Sequence, residues 1–281
     1  MNDETKNAVL SQLALGKKTD YRDSYTPELL QAVPRSLNRQ ELGVEYNPLF
    51  YGCDVWHAYE LSWLNDKGKP QVALARIIVP AHSPNIVESK SLKLYFNSFN
   101  QTKIISQDDL QKMILNDISG VTGSSIKFEL IQASEHAVLN SVALPGECID
   151  DLDVEIKSYS PDPGLLSLVG QEGVVNESLH SHLLKSNCLI TNQPDWASVV
   201  IEYEGKQIDR ESMLRYLVGF RQHNEFHEQC VERIFMDISR RCKPKKLSVH
   251  AIYTRRGGID INPFRTTEKE FIVPFNRINR Q

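Results

Sequence analysis

Apolar and aromatic positions alternate with polar ones through Trp56, Tyr59, Leu61 and Trp63, and β-branched residues crowd Val72 to Val79. The turn signal Asn65-Asp66-Lys67-Gly68 lies between them, so the pattern predicts a β-hairpin. The period then lengthens. Ser106-Gln107-Asp108-Asp109 can cap a helix whose apolar positions Leu110, Met113, Ile114 and Ile118 share one face, and Ser125 to Ile131 returns to alternation. Residues 1–55 carry turn signals at Gly16, Pro27, Pro34, Pro48 and Gly52 with few periodic stretches, and are expected to form an irregular lead-in.

The second half repeats this order. Tyr95 to Gln101 and Tyr216 to Gln222 share a Tyr-x-x-x-Phe-x-Gln pattern, and Ile114 to Ser119 resembles Ile234 to Ser239; a strand pattern follows each. Two matches at nearly one offset, in one order, argue for a duplicated module. Pro145-Gly146 and Ser160-Pro161-Asp162-Pro163-Gly164 are the strongest turn signals between the copies. The expected organisation is a lead-in over 1–55, one module over 56–145, and a linker with a second module over 146–281. Helices paired with hairpins, without strict β-α alternation, give an α+β class with antiparallel sheets.

Composition narrows the function. The 281 residues are 41% hydrophobic with a formal charge of −4, enough to bury a core and too acidic for a broad phosphate-backbone surface, so nucleic acid is not an expected partner. The N-terminus is polar and no apolar run approaches a membrane span, which argues against secretion and membrane insertion. Five widely spaced cysteines without a Cys-x-x-Cys pair predict free thiols in a reducing cytoplasm.

Four segments could carry chemistry. Cys188 sits in a polar, turn-rich stretch, Lys185 to Trp196, where a thiol can meet solvent and cations and reach the thiolate state. Asp195, seven residues on between Pro194 and Trp196, can hold a proton, so the pair suits a nucleophile with a proton donor; a loop cysteine and a turn aspartate are the plain alternative. His227-Glu228 opens a helical pattern, where a carboxylate can accept the amide edge of a guanine-like base and the imidazole can move a proton, or both can be a helix cap. Glu88-Ser89-Lys90-Ser91-Leu92-Lys93-Leu94-Tyr95 gathers a carboxylate, two serine hydroxyls and two ammonium groups suited to a phosphate or to a solvated helix start. Arg255-Arg256-Gly257-Gly258 suits a phosphate or a β-turn.

Taken together, these segments resemble the NADPH-dependent nitrile reductases that convert 7-cyano-7-deazaguanine to its 7-aminomethyl form in queuosine biosynthesis. Glu88 to Tyr95 is similar to that family's signature motif, Asn187-Cys188 through Asp195 to its nucleophile loop, and Phe226-His227-Glu228 to its substrate-edge motif. The duplication resembles the family's long, two-module branch. Leu189 departs from the proline usual after the cysteine in the single-module branch, leaving the reacting side chains unchanged. The resemblance implies two tandem tunnelling-fold modules, a cytoplasmic homodimer, a small 7-deazapurine substrate and NADPH as cofactor. It implies a covalent thioimide on Cys188 with Asp195 as proton donor. Val87, Glu88, Ser89, His227 and Glu228 would bind substrate, Ser89, Lys90, Arg256 and Gly257 would bind NADPH, and no metal is required. One pocket would then need residues from both modules.

Two other classes compete. A zinc hydrolase related to GTP cyclohydrolase would use Cys188, His227 and Cys230 as ligands. A purine-binding protein without activity would leave the Cys188 thiol unreactive.

Overall fold

The computed structural model describes Ser11 and residues 21–44, 49–134, 141–170, 173–274 and 277–281. Gly16 and Pro48, two of the lead-in turn signals, lie outside these residues. The chain divides into two compact units, one of Met1–Tyr46, Asp54–Asn140 and Arg255–Ile261, the other of Asn47–Cys53, Ser141–Thr254 and Asn262–Gln281.

The first unit contains β1 (Ala32–Pro34), α1 (Ser36–Arg39), most of β2 (Tyr51–Leu64), β3 (Pro70–Pro80), β4 (Asn85–Val87), α2 (Ser89–Asn97), α3 (Gln107–Thr122) and β5 (Lys127–Gln132). The hairpin joining β2 to β3 turns where the sequence places it. Asn65 Oδ1 accepts from the Lys67 and Lys69 amides at 3.0 and 2.9 Å, and Gly68 supplies the positive φ. β3 pairs antiparallel with β5 from Ala73↔Gln132 to Ile78↔Lys127. Trp56, Leu61, Ile77, Leu92, Tyr95, Phe99, Leu110, Ile114 and Ile118 lie in one buried cluster, each large apolar side chain contributing about 1.5–3 kcal/mol.

The lead-in is more regular than its turn signals suggest. β1 pairs antiparallel with β4, and two arginines nearby are buried: Arg35 donates to Asp54 Oδ2 at 2.5 Å and Arg39 to the Ala81 carbonyl at 2.7 Å. Three-residue strands paired across more than fifty positions leave no periodicity to read.

The second unit contains β6 (Glu147–Cys148), β7 (Val175–Ser181), β8 (Lys185–Asn187), β9 (Pro194–Gly205), α4 (Arg210–Val218), α5 (His227–Cys242), β10 (Lys246–Tyr253) and the end of β11 (Ile259–Thr266). Its strands run in the order β11-β10-β9-β7-β6, with β8 also on β9. All these pairings are antiparallel except β6 with β7. α5 packs on β10 with Val231, Ile234, Phe235 and Ile238 fully buried.

Each unit carries a nine-residue helix followed by a sixteen-residue helix, α2 with α3 and α4 with α5. The repeated Tyr-x-x-x-Phe pattern has one job in both. Tyr95 and Phe99 meet edge to face at 5.2 Å, as do Tyr216 and Phe220 at 5.4 Å; Tyr95 donates to Asp117 at 2.6 Å and Tyr216 to Asp237 at 2.7 Å. The division between units falls at Ser141, upstream of the turn cluster at 160–164. That cluster belongs to the second unit because the Ser160 carbonyl lies so close to Gly219, after α4, that a Cβ there would come within 2.9 Å of it.

Candidate active site

The second unit assembles Cys188, Asp195, His227 and Glu228 from three adjoining segments. β8 pairs with β9, bringing Ser186 opposite Asp195 and Asn187 opposite Pro194. The ladder extends one step: the Cys188 amide donates to the Gln193 carbonyl at 2.8 Å, and the Asn192 amide, at φ +57°, donates back to the Cys188 carbonyl at 3.0 Å. Alternation along paired strands therefore puts Ser186, Cys188 and Asp195 on one face. On the other side of β8, the Asn187 amide donates to the His223 carbonyl at 2.8 Å and the Glu225 amide to the Asn187 carbonyl at 3.1 Å. These bonds lead the chain from the cysteine loop to the first turn of α5.

Asp195 is 3% exposed, and its Oδ2 lies 3.3 Å from His227 Nε2. The imidazole of His227 stacks on Tyr253 with ring centroids 3.8 Å apart and planes 5° from parallel. Its Nδ1 is buried without a hydrogen-bond partner among the described residues. Burial, with Cys230 and Asp195 nearby, pushes the Tyr253 phenol well above its ordinary range, so it stays neutral. Glu228 is 2% exposed in the first turn of α5, near the positive end of the helix dipole. Cys188 is 8% exposed, more enclosed than its polar sequence context suggests.

A supporting layer escaped sequence reasoning. Glu225 is buried and grips Arg233 through both carboxylate oxygens at 2.7–3.2 Å, with His223 Nε2 at 3.1 Å. Burial alone would raise its pKa, but His223 and Arg233 outweigh it and hold Glu225 below the ordinary value. Lys185 Nζ donates to Asn187 Oδ1 and to the Arg221 carbonyl at 2.6 and 2.7 Å, and Asn187 and Asn192 both meet Asn224. The charge pair joins Glu225, which precedes α5, to Arg233 inside it, so no helical spacing announces it.

Cys230 is fully buried one turn into α5, and burial pushes its thiol far up, so it behaves as a small apolar group. Among the described residues, Cys188, His227 and Cys230 do not form a group that could hold a metal ion, which removes the geometric basis of the zinc-hydrolase reading.

The remaining sequence-predicted residues lie in the first unit. Val87 ends β4, and Glu88 caps α2: its two carboxylate oxygens accept from the Lys90 and Ser91 amides at 2.7 and 2.8 Å. Burial raises the Glu88 pKa and these bonds pull it partly back, leaving a net rise. Ser89 and Lys90 are half-buried at the helix start. Arg256 is exposed and closes a two-residue turn with Ile259, in which Gly257 and Gly258 both have positive φ. A Cβ on Gly257 would come within 2.6 Å of Lys93 Nζ, so glycine there lets an ammonium lie on the turn beside Arg256. Arg255 sits 4.3 Å over the Tyr59 ring. Basic groups around open backbone fit the phosphates of a dinucleotide. A cavity of about 390 Å³ lies elsewhere, between residues 155–165 and Arg215, and touches none of the residues above.

Residues 21–130 match a family described as nitrile reductase, 7-cyano-7-deazaguanine-reductase N-term, and residues 194–271 match one described as QueF-like protein. The chain is 56% identical over 254 residues to the NADPH-dependent 7-cyano-7-deazaguanine reductase of Cupriavidus necator, covering 90% of this chain and 92% of that one. The protein of the same name from Ralstonia nicotianae matches at the same identity and coverage. A solved structure described as the archaeosine synthase QueF-Like in the apo form aligns over 34% of this chain and 94% of that one at TM-score 0.30 and 15% identity, too slight a likeness to bear on the fold.

Proposed function

The chain belongs to the family of NADPH-dependent 7-cyano-7-deazaguanine reductases, and from that premise we propose that Cys188 is the covalent nucleophile and Asp195 the proton donor. The overall activity is that of an oxidoreductase using NADPH, reducing the nitrile of 7-cyano-7-deazaguanine to the aminomethyl group in queuosine biosynthesis. The observation that carries the residue assignment is the shared face of Cys188 and Asp195, with His227 in contact with Asp195.

Cys188 as thiolate adds through Sγ to the nitrile carbon. A proton from Asp195 reaches the nitrile nitrogen, giving a thioimide that retains every atom of the substrate. NADPH supplies the reducing equivalents, two hydrides for each nitrile converted. After the first reduction the carbon–sulfur bond breaks, the thiolate of Cys188 is restored, and an imine remains for the second. Asp195 regains a proton through His227, whose contact with the carboxylate and stacking on Tyr253 keep the imidazole in line. Glu228 accepts the amide and amino N–H groups of the pyrimidine edge, and the unoccupied hydrogen-bonding capacity of His227 Nδ1 serves the ring. Val87, Glu88 and Ser89 are proposed as further substrate contacts. Ser89, Lys90, Arg256 and Gly257 are proposed to hold NADPH, the cations favouring its extra phosphate.

The paired helices of equal length and the repeated Tyr–Asp bond support two tandem tunnelling-fold modules. A cytoplasmic homodimer rests on the family likeness alone; among the described residues no helix is long and apolar enough to cross a membrane. Following NADPH oxidation beside product formation tests the reaction. Two NADPH consumed per aminomethyl product is expected, and one per product would exclude the two-hydride scheme.

A further inference from the structure

We propose that Cys148, His180 and His182 form a Zn²⁺-binding site at the edge of the second unit's sheet, apart from the residues assigned to the reaction. One ligating atom from each lies within 4.8 Å of the others. Zinc bonds of about 2.0–2.3 Å set tetrahedral ligand atoms roughly 3.3–3.8 Å apart, so closing on the ion needs side-chain shifts of about an ångström.

The backbone arranges this group. Cys148 on β6 is registered beside His180 on β7, and His182, two residues on, falls on the same side as His180. Gly146 brings β6 against β7 so closely that a Cβ there would meet the Ser178 carbonyl at 2.1 Å, and its φ is +77°. Only glycine permits that approach.

Hydrogen bonds at the rings bear on the histidine tautomers. His180 Nδ1 lies 2.9 Å from the Pro145 carbonyl, which can only accept; Nδ1 therefore carries the hydrogen and Nε2 a free lone pair. His182 Nδ1 lies 2.7 Å from the buried Ser198 hydroxyl, which can play the same part. Metal-bound histidines are held in this way, by a bond at the nitrogen that does not touch the metal. Asp150 adds a negative charge, its oxygens accepting from the Ser181 hydroxyl at 2.6 Å and the His182 amide at 2.9 Å. Cys148 is exposed and both histidines are half-exposed, which gives the ion a route in.

One thiolate and two neutral imidazoles suit a borderline-soft divalent ion, and three protein ligands leave a fourth position for water. On binding, Cys148 releases its proton to solvent and the sulfur–zinc bond forms without any change of oxidation state, so affinity rises with pH. β6 is an edge strand of two residues. The ion would fasten it to β7.

The test uses the reduced, metal-stripped full chain. Co²⁺ titration should give a thiolate charge-transfer band and the intense visible bands of a tetrahedral ion, saturating at one equivalent. Zn²⁺ should displace it with an affinity tighter than about 1 µM in competition with a chromogenic chelator. Cys148→Ser should abolish the charge-transfer band and weaken Zn²⁺ by at least about 100-fold, as should His180→Asn, while Cys188→Ser leaves both unchanged. The exposure of Cys148 makes loss of folding in its variant easy to exclude by circular dichroism. Absence of one-to-one binding by the wild type, or equal affinity in Cys148→Ser, would overturn the proposal.

Discussion

The two sixteen-residue helices start in opposite ways. α3 is sealed: the Ser106 hydroxyl accepts from the Asp109 amide at 3.1 Å and donates to the Asp109 carboxylate at 2.7 Å. α5 starts after Phe226, whose side chain caps nothing, and its first turn holds His227 and Glu228. A sealed start satisfies the orphan amides of a helix and stabilises the fold; a start that the preceding side chain does not cap still sets the positive end of the dipole beside the side chains of its first turn. Similar helices thus serve structure in one unit and the proposed chemistry in the other, and the difference lies in single residues at equivalent places.

The largest effect expected from this contrast is at Asp195, beside the open start of α5. Asp195→Asn preserves shape but supplies no acidic proton, so kcat should fall about 10²–10⁴-fold with little change in thermal stability. A loss below about threefold in a steady-state assay would return Asp195 to a structural role.

Much of this was legible in the sequence because it is periodic. The hairpin at Asn65–Gly68, the Ser106 cap and the apolar face Leu110, Ile114 and Ile118 stand where alternation and helical spacing put them. The nearness of Cys188 to Asp195 in sequence was visible as a short polar loop, and the register of β8 on β9 puts the two on one face. What lacked a signal was set by contacts remote in sequence or by burial: β1 on β4, the Glu225–Arg233 clamp, and the Tyr253 ring under His227. Glu88 was ambiguous between ligand contact and helix cap, and geometrically it is a cap.

The buried histidines of the two units also differ in their partners. His57 in the first is held by Asp260 Oδ1 at 2.8 Å. His250 in the second has a buried Nε2 without a partner among the described residues, and burial pushes its pKa from 6.5 down to about 3. A histidine kept neutral by the fold is protonated first in the unfolded chain. Its contribution is full above about 6.5 and is lost as pH falls toward 3. Urea unfolding at pH 7 and pH 4.5 should show a marked drop, and His250→Phe should flatten that slope; an unchanged slope would contradict the assignment.

Glu88 and Asp209 make a finer pair, since each caps a nine-residue helix through its carboxylate and each is followed by a serine whose hydroxyl donates back to the cap carbonyl at 2.7 Å. If only Glu88 also binds substrate, Glu88→Gln should raise KM about tenfold or more with a small loss of stability. Asp209→Asn should lower stability by about 1 kcal/mol and leave KM alone. Equal KM values in the two variants would make Glu88 a cap and nothing more. The smallest effect belongs to the sealed helix: Ser106→Ala should cost about 1 kcal/mol in denaturant unfolding without altering turnover, and a change in kcat would break the division of labour between the two helix starts.

The covalent role of Cys188 can be read by mass spectrometry of the intact protein incubated with 7-cyano-7-deazaguanine, without NADPH. Addition of a thiol to a nitrile loses no atoms, so the expected result is a gain equal to the whole substrate mass, mapped by proteolysis to the peptide containing Cys188 and absent from Cys188→Ala. No mass gain under conditions where the wild type turns over, or a gain that survives in Cys188→Ala, would contradict it.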